Sequence, residues 1–232
     1  MPVAATATRP VAEEVRRRVV NSRDRLWRAD EFEGSPQAVN SELRRLVKAG
    51  ELRRIRRGVY WRGRKTRFGM SHPRQGEALR SVLHGSEAVG ATGWYATNLL
   101  GLSTQVSPVE TLAVSRRPPT GFKQLRLVDR SSRTGRRDAK LNDLEVTLLE
   151  ALEGWDQYVE LSGRAATKRF AEVLGEEGIR VEKLVTASDT EPAAVRERLR
   201  YVLDAAGHNE AVHRVRPARS ASARERALAV AT

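Results

Sequence analysis

The chain contains no cysteine, which excludes a disulfide framework, a thiolate metal site and a cysteine nucleophile. No run approaches the roughly 18 apolar residues that a membrane span requires. The opening MPVAATATRPVAEEV lacks the apolar core of a signal peptide, so a soluble, cytoplasmic protein without a membrane partner is expected. No basic helix opposes a face with several large aromatics, which argues against a membrane-surface role. The G-x-S-x-G, H-E-x-x-H and Walker patterns are missing. The four histidines, His72, His84, His208 and His213, have no cysteine nearby, and the last two are spaced off a shared helix face. Asp143, Glu145, Glu150, Glu153, Glu176 and Glu177 fall in helical patterns and read as solvated faces, not a Mg²⁺ cluster. No catalysis, metal or cofactor is expected.

What the chain has in excess is positive charge, 42 Lys/Arg against 29 Asp/Glu for a net +13. Residues 1–67 carry +10 and residues 68–140 carry +6, whereas residues 141–212 carry −7 and residues 213–232 carry +4. A basic N-terminal block joined to an acidic later segment implies polyanion binding at one end and another task at the other.

The stretch Gly34–Gly50, GSPQAVNSELRRLVKAG, organises the basic block. Ser35 suits an N-cap, Pro36 the first helical position and Gly50 the C-terminal cap. Val39, Leu43, Leu46 and Val47 form one apolar face. Gln37, Ser41, Arg44 and Lys48 fall opposite, with Asn40 and Arg45 at the margins, offering amides and hydroxyls to base edges and cations to phosphates. Such a face is often only a solvated one, but its neighbourhood favours DNA. Immediately after it, ELRRIRRGVYW reads as a hairpin turning at Arg57-Gly58, with Arg53, Arg54, Arg56 and Arg57 as its cations.

Upstream, residues 1–9 read as a flexible start, Val11–Val20 as a helix, Arg25–Arg28 as a strand, and Ala29 or Asp30 as the start of a short helix carrying Phe32. Helix, strand, short helix, turn, recognition helix and hairpin match a winged helix-turn-helix over 10–63. Leu26, Trp27, Phe32, Leu43, Leu46, Leu52, Ile55 and Tyr60 would form its core, Trp27 as core and not as a base-stacking platform.

Residues 64–74 read as a linker, and 75–207 as a mixed α/β, mainly helical domain, an α+β chain overall. GEALRSVLHG and EAVGATGWYATNLLG read as helices, the Gly90–Gly93 pair serving close packing and not phosphate. VETLAVS and KQLRLVDRS read as strands joined by a turn at Pro118, Pro119 and Gly121. Three helical patterns follow, the last with Val195, Leu199, Val202 and Leu203 inward. Residues 208–232 read as a mobile basic tail or a loosely docked helix. Whether the basic segment 116–140 touches DNA stays open.

The runs WRADEF and LRRLVKAGELRRIRRGVYW resemble the N-terminal winged helix of AbiE-type antitoxins from bacterial abortive-infection modules. TGWYATNLLGLSTQV and LNDLEVTLLEALEGW resemble actinobacterial members, and together the pieces span most of 10–206. The resemblance implies a repressor that binds double-stranded DNA repeats in its own promoter through the N-terminal domain; a dimer or cooperative binding on that DNA is a separate expectation. It also implies a C-terminal domain that counteracts a nucleotidyltransferase-like toxin. By the same resemblance Gln37, Ser41, Arg44, Arg45 and Lys48 lie on the recognition helix, and Arg53, Arg56 and Arg57 on the wing. A free-standing winged-helix regulator with a ligand-sensing or dimerisation domain is the alternative.

Overall fold

The computed structural model describes residues 10–67, 69–71, 73, 76, 79, 83, 88–120, 122 and 125–231. It is a mixed α+β chain in two units, Met1–Leu83 and His84–Thr232. Among the described residues no helix is long and apolar enough to cross a membrane.

The first unit runs α1 (Val11–Val20), β1 (Arg25–Arg28), a 3-10 turn (Ala29–Glu31), α2 (Pro36–Lys48), β2 (Arg53–Arg56) and β3 (Val59–Arg62). The strands form an antiparallel sheet in the order β1-β3-β2, with Trp27 opposite Tyr60 and Leu26 opposite Trp61. Alternation along a strand sends these two rows to opposite faces. The Trp27–Tyr60 row joins Val15, Val19, Phe32, Val39, Leu43, Leu46 and Leu52 in one core. Trp27 and Phe32 stack there at 5.1 Å. Leu26 and Ile55, expected in that core, are only half-buried. Leu26 belongs to the other row, and Ile55 sits where the register shifts between Arg54 and Arg56.

Punctuation of α2 is sharper at its end than at its start. Ser35 holds the N-cap position with an extended backbone, but its side chain makes no cap bond. At the other end Gly50 takes φ +70°. Its N–H donates to the Val47 carbonyl at 3.0 Å, and the Glu51 N–H donates to Leu46 at 2.9 Å. This is the paired closure of a Schellman turn, and it delivers the chain directly into buried Leu52.

The described residues of 64–74, read as a linker, carry structure of their own. β4 (Lys65–Thr66) and β5 (Gly69–Met70) pair as a ribbon. The indole N–H of buried Trp61 donates to the Ser71 carbonyl at 2.7 Å, and the Arg64 N–H to the Ser71 hydroxyl at 2.9 Å. A buried indole needs an acceptor, and this segment folds back to supply it.

The second unit begins with β6 (Val89–Ala91), α3 (Trp94–Leu99), β7 (Glu110–Val114) and β8 (Leu125–Asp129). Next come α4 (Thr134–Asp138), α5 (Asp143–Glu153), α6 (Trp155–Tyr158), α7 (Gly163–Leu174) and α8 (Val181–Ala187). α9 (Ala193–Ala205), α10 (Asn209–Arg214) and α11 (Ala221–Leu228) complete it. Most of GEALRSVLHG, read as a helix, lies outside the described residues. Two further readings change. Val89–Ala91, expected to be helical, is a strand, and a Cβ on Gly90 would meet the backbone of α5 at 2.7 Å. Glycine is required there for strand-on-helix contact. β6 and β7 are antiparallel, but β7 and β8 pair in parallel, so these two strands are not the hairpin neighbours that a tight turn would make them.

α5 is opened by a capping box in which Asn142 and Glu145 exchange side-chain and backbone bonds at 2.9 and 2.8 Å. α9 buries Val195, Leu199, Val202 and Leu203, as its spacing predicts, but also Arg196, Glu197 and Arg198. The stretch 208–232 is not a loose tail over its described residues. It forms α10 and α11, which bury Ala211, Val215, Ala227 and Ala231.

Candidate nucleic-acid interface

The buried stripe of α2 leaves its other side outward. Gln37, Ser41, Arg44, Arg45 and Lys48 are all exposed. Arg44 and Lys48 have no hydrogen bond or ion pair among the described residues, and Arg45, 77% exposed, reaches only Glu42 at 3.5 Å. That contact holds a cation on the surface without neutralising it firmly. Asn40 is half-buried, and its amide donates to the Pro36 carbonyl of its own helix at 2.7 Å. Glu42, whose burial the sequence pattern did not reveal, sits on the same helix at 5% exposure.

The hairpin separates its four arginines into two pairs. Arg54 and Arg57 are exposed, with the Arg54 Nε against the Arg56 carbonyl at 3.4 Å. Arg53 and Arg56 are half-buried across from Trp61 and Val59. Gly58, at φ +77°, makes the turn, and its carbonyl accepts the Ala29 N–H at 3.0 Å, tying the tip to the end of β1. Seven of the ten sequence-derived residues are thus exposed (Gln37, Ser41, Arg44, Arg45, Lys48, Arg54 and Arg57), and Asn40, Arg53 and Arg56 are half-buried. Arg16, which lies in the field of Glu51, and Arg23 are also exposed, and they escaped the sequence reading because no periodicity groups them with α2.

Elsewhere in this unit cations are matched. Arg17 meets Glu14, Arg25 meets Glu31, Arg28 meets Asp30, and Arg64 meets Asp24. Glu51 takes both Arg62 and Lys65, and its bond from Lys65 outweighs partial burial to hold its carboxyl below the usual range.

In the second unit, Arg130 and Arg136 of the basic segment are turned inward. Fully buried Arg136 donates to Glu191 at 2.7 and 2.8 Å and to Glu150 at 2.6 Å. Burial works against its charge, but the two carboxylates more than offset it and keep it above the ordinary arginine range. Arg130 bridges the same Glu150 at 2.9 and 3.0 Å. Burial would raise Glu150, yet Arg130 and Arg136 hold it below the usual carboxylate value. Glu145 and Glu150, read as solvated, are therefore buried, Glu145 against Arg180 at 2.7 and 2.8 Å. Glu153 is half-buried, and Asp143, Glu176 and Glu177 are exposed. Among the described residues no three His, Asp or Glu could hold a metal. His72 and His84 lie outside those residues.

Other arginines cap helix ends. Arg198 donates to the carbonyls of Leu152 and Glu153 at 2.8 Å and of Ala227 at 3.0 Å. Arg200 reaches Val212 and Val215 at 2.7 and 2.6 Å, and Arg169 reaches Leu100 at 2.7 Å. The last carbonyls of a helix lack partners within it, and a guanidinium supplies several donors at once.

A family model described as DUF6088, a family of unknown function, matches residues 20–119. No curated protein matches the chain. Among solved structures the chain is similar to the RV2827C protein from Mycobacterium tuberculosis, at 13% identity and TM-score 0.43, over 90% of this chain and 80% of that one.

Proposed function

We propose that the first unit is a winged helix-turn-helix that binds double-stranded DNA, with α2 in the major groove and the β2–β3 hairpin as the wing. The observation that carries this reading is the outer face of α2. Arg44 and Lys48 stand uncommitted beside weakly held Arg45, on a unit whose other cations are largely matched. Arg54 and Arg57 would add phosphate contacts from the hairpin, and Gln37 and Ser41 would face base edges. Arg53 and Arg56, half-buried, serve the sheet more than the DNA.

The resemblance to AbiE-type antitoxins supports the further reading that this DNA is the protein's own promoter. On that reading the chain is an antitoxin that represses its operon and counteracts a nucleotidyltransferase-like toxin through the second unit. The test is a gel-shift titration on upstream DNA against scrambled DNA of equal length, at two salt concentrations. Preferential binding with a log–log salt slope near −5, for about six phosphate contacts, is expected. Equal, salt-insensitive binding to both DNAs would sink the proposal.

A further inference from the structure

The second unit holds a cleft of about 750 Å³ that no DNA reading uses. This lies within the roughly 300–1,000 Å³ of small-molecule sites. Its floor is sheet, with Arg126 and Val128 of β8, and its walls bring Trp94, Tyr158, Val109 and Asp156 to the same space. Trp94 and Tyr158 meet edge to face at 5.3 Å. Room for the tyrosine ring is left by Gly154, where a Cβ would fall 2.6 Å from it. Neither the Trp94 indole N–H nor the Tyr158 hydroxyl has a hydrogen-bond partner among the described residues, although half-buried aromatic polar groups ordinarily find one.

Charge on the lining is nearly all spent. Arg130 is bound to Glu150, and Asp156 lies 3.3 Å from Arg198. Of the cleft's two lining arginines only Arg126 is left over: it is exposed at the floor and has no hydrogen bond or ion pair among the described residues, whereas Arg130 is held by Glu150. One free guanidinium beside two aromatic rings and two valines matches a small planar aromatic ring carrying one negative charge. We propose that this cleft binds a planar aromatic monoanion, a carboxylate or sulfonate of one or two rings, with Arg126 on the anion and Trp94 and Tyr158 on the ring.

The test uses the full chain and the dye 8-anilinonaphthalene-1-sulfonate, itself a planar aromatic monoanion. A saturable single-site fluorescence titration is expected, with displacement by 2-naphthoate. Arg126→Gln should weaken binding roughly tenfold, the worth of one charge-assisted contact. Trp94→Leu should abolish energy transfer from that indole to the dye. Val106→Ser, on a side chain 81% exposed and outside the cleft, should leave the curve unchanged. Wild-type affinity in Arg126→Gln, equal loss in Val106→Ser, or no displacement by 2-naphthoate would each overturn the proposal. Because the Arg126 side chain makes no hydrogen bond or ion pair among the described residues, its variant should unfold like wild type in urea.

Discussion

In the first unit the guanidinium of Arg44 stands in solvent with no acid beside it among the described residues, whereas Arg136 in the second is buried between Glu150 and Glu191. The same side chain therefore has opposite energetics in the two places. An exposed arginine contributes little to stability and is available to a polyanion. A buried one is desolvated at a cost that only well-placed acceptors offset, and it is available to nothing else. Net charge alone would rank residues 68–140 as a second polyanion site, yet Arg130 and Arg136 there are already bound to carboxylates. Basic composition points to nucleic acid only where the structure leaves the charge unspent.

The contrast can be broken most forcefully at the buried pair. Arg136→Leu leaves Glu150 and Glu191 short of a partner, and urea unfolding should show a loss of about 3–5 kcal/mol. Arg44→Ala should change stability by less than about 0.5 kcal/mol. On the DNA-binding proposal its effect lies elsewhere: in gel shifts, Arg44→Ala should weaken binding to the upstream DNA by about 1–3 kcal/mol if it reads a base, and all sequences alike if it meets phosphate. If the two variants exchanged behaviour, the division of labour would be wrong.

Gly50→Ala meets nothing within 4 Å, so its cost is the left-handed backbone alone, about 1 kcal/mol in thermal or urea unfolding. The smallest effect concerns Glu160, whose carboxyl is held down to about 2 by bonds from Gln105, Thr104 and Ser103. Its folded value is depressed, so its contribution is present above pH 4.5 and is lost as pH falls toward 2. Unfolding of Glu160→Gln across that window should depend less steeply on pH than that of wild type.

What the sequence made legible was local. Pro36, Gly50 and the spacing of Val39, Leu43 and Leu46 delimit α2, and Arg57-Gly58 marks the hairpin, because each signal spans only a few residues. The outward set on α2 followed from the same periodicity. Less legible was anything set at long range. Arg136 and Glu191 lie 55 positions apart, and no pattern on either helix announces that they meet. Pro118, Pro119 and Gly121 suit a hairpin turn, but the parallel register of β7 and β8 is decided by the sheet. Val89-Gly90-Ala91 is too short and small to declare itself a strand, and its glycine is explained only by α5.

The helix-capping by Arg198 has a consequence for the order in which the protein is made. The first unit's core, from Val15 to Tyr60, and the Ser71 carbonyl that the Trp61 indole needs are both at hand once residue 71 has left the ribosome. Arg198 instead waits for the Ala227 carbonyl, 29 positions further on, before its Nε donor is satisfied. A nascent chain halted between these points would carry a finished first unit and a second unit with a guanidinium still seeking its acceptor. The first unit can thus mature ahead of the second during synthesis.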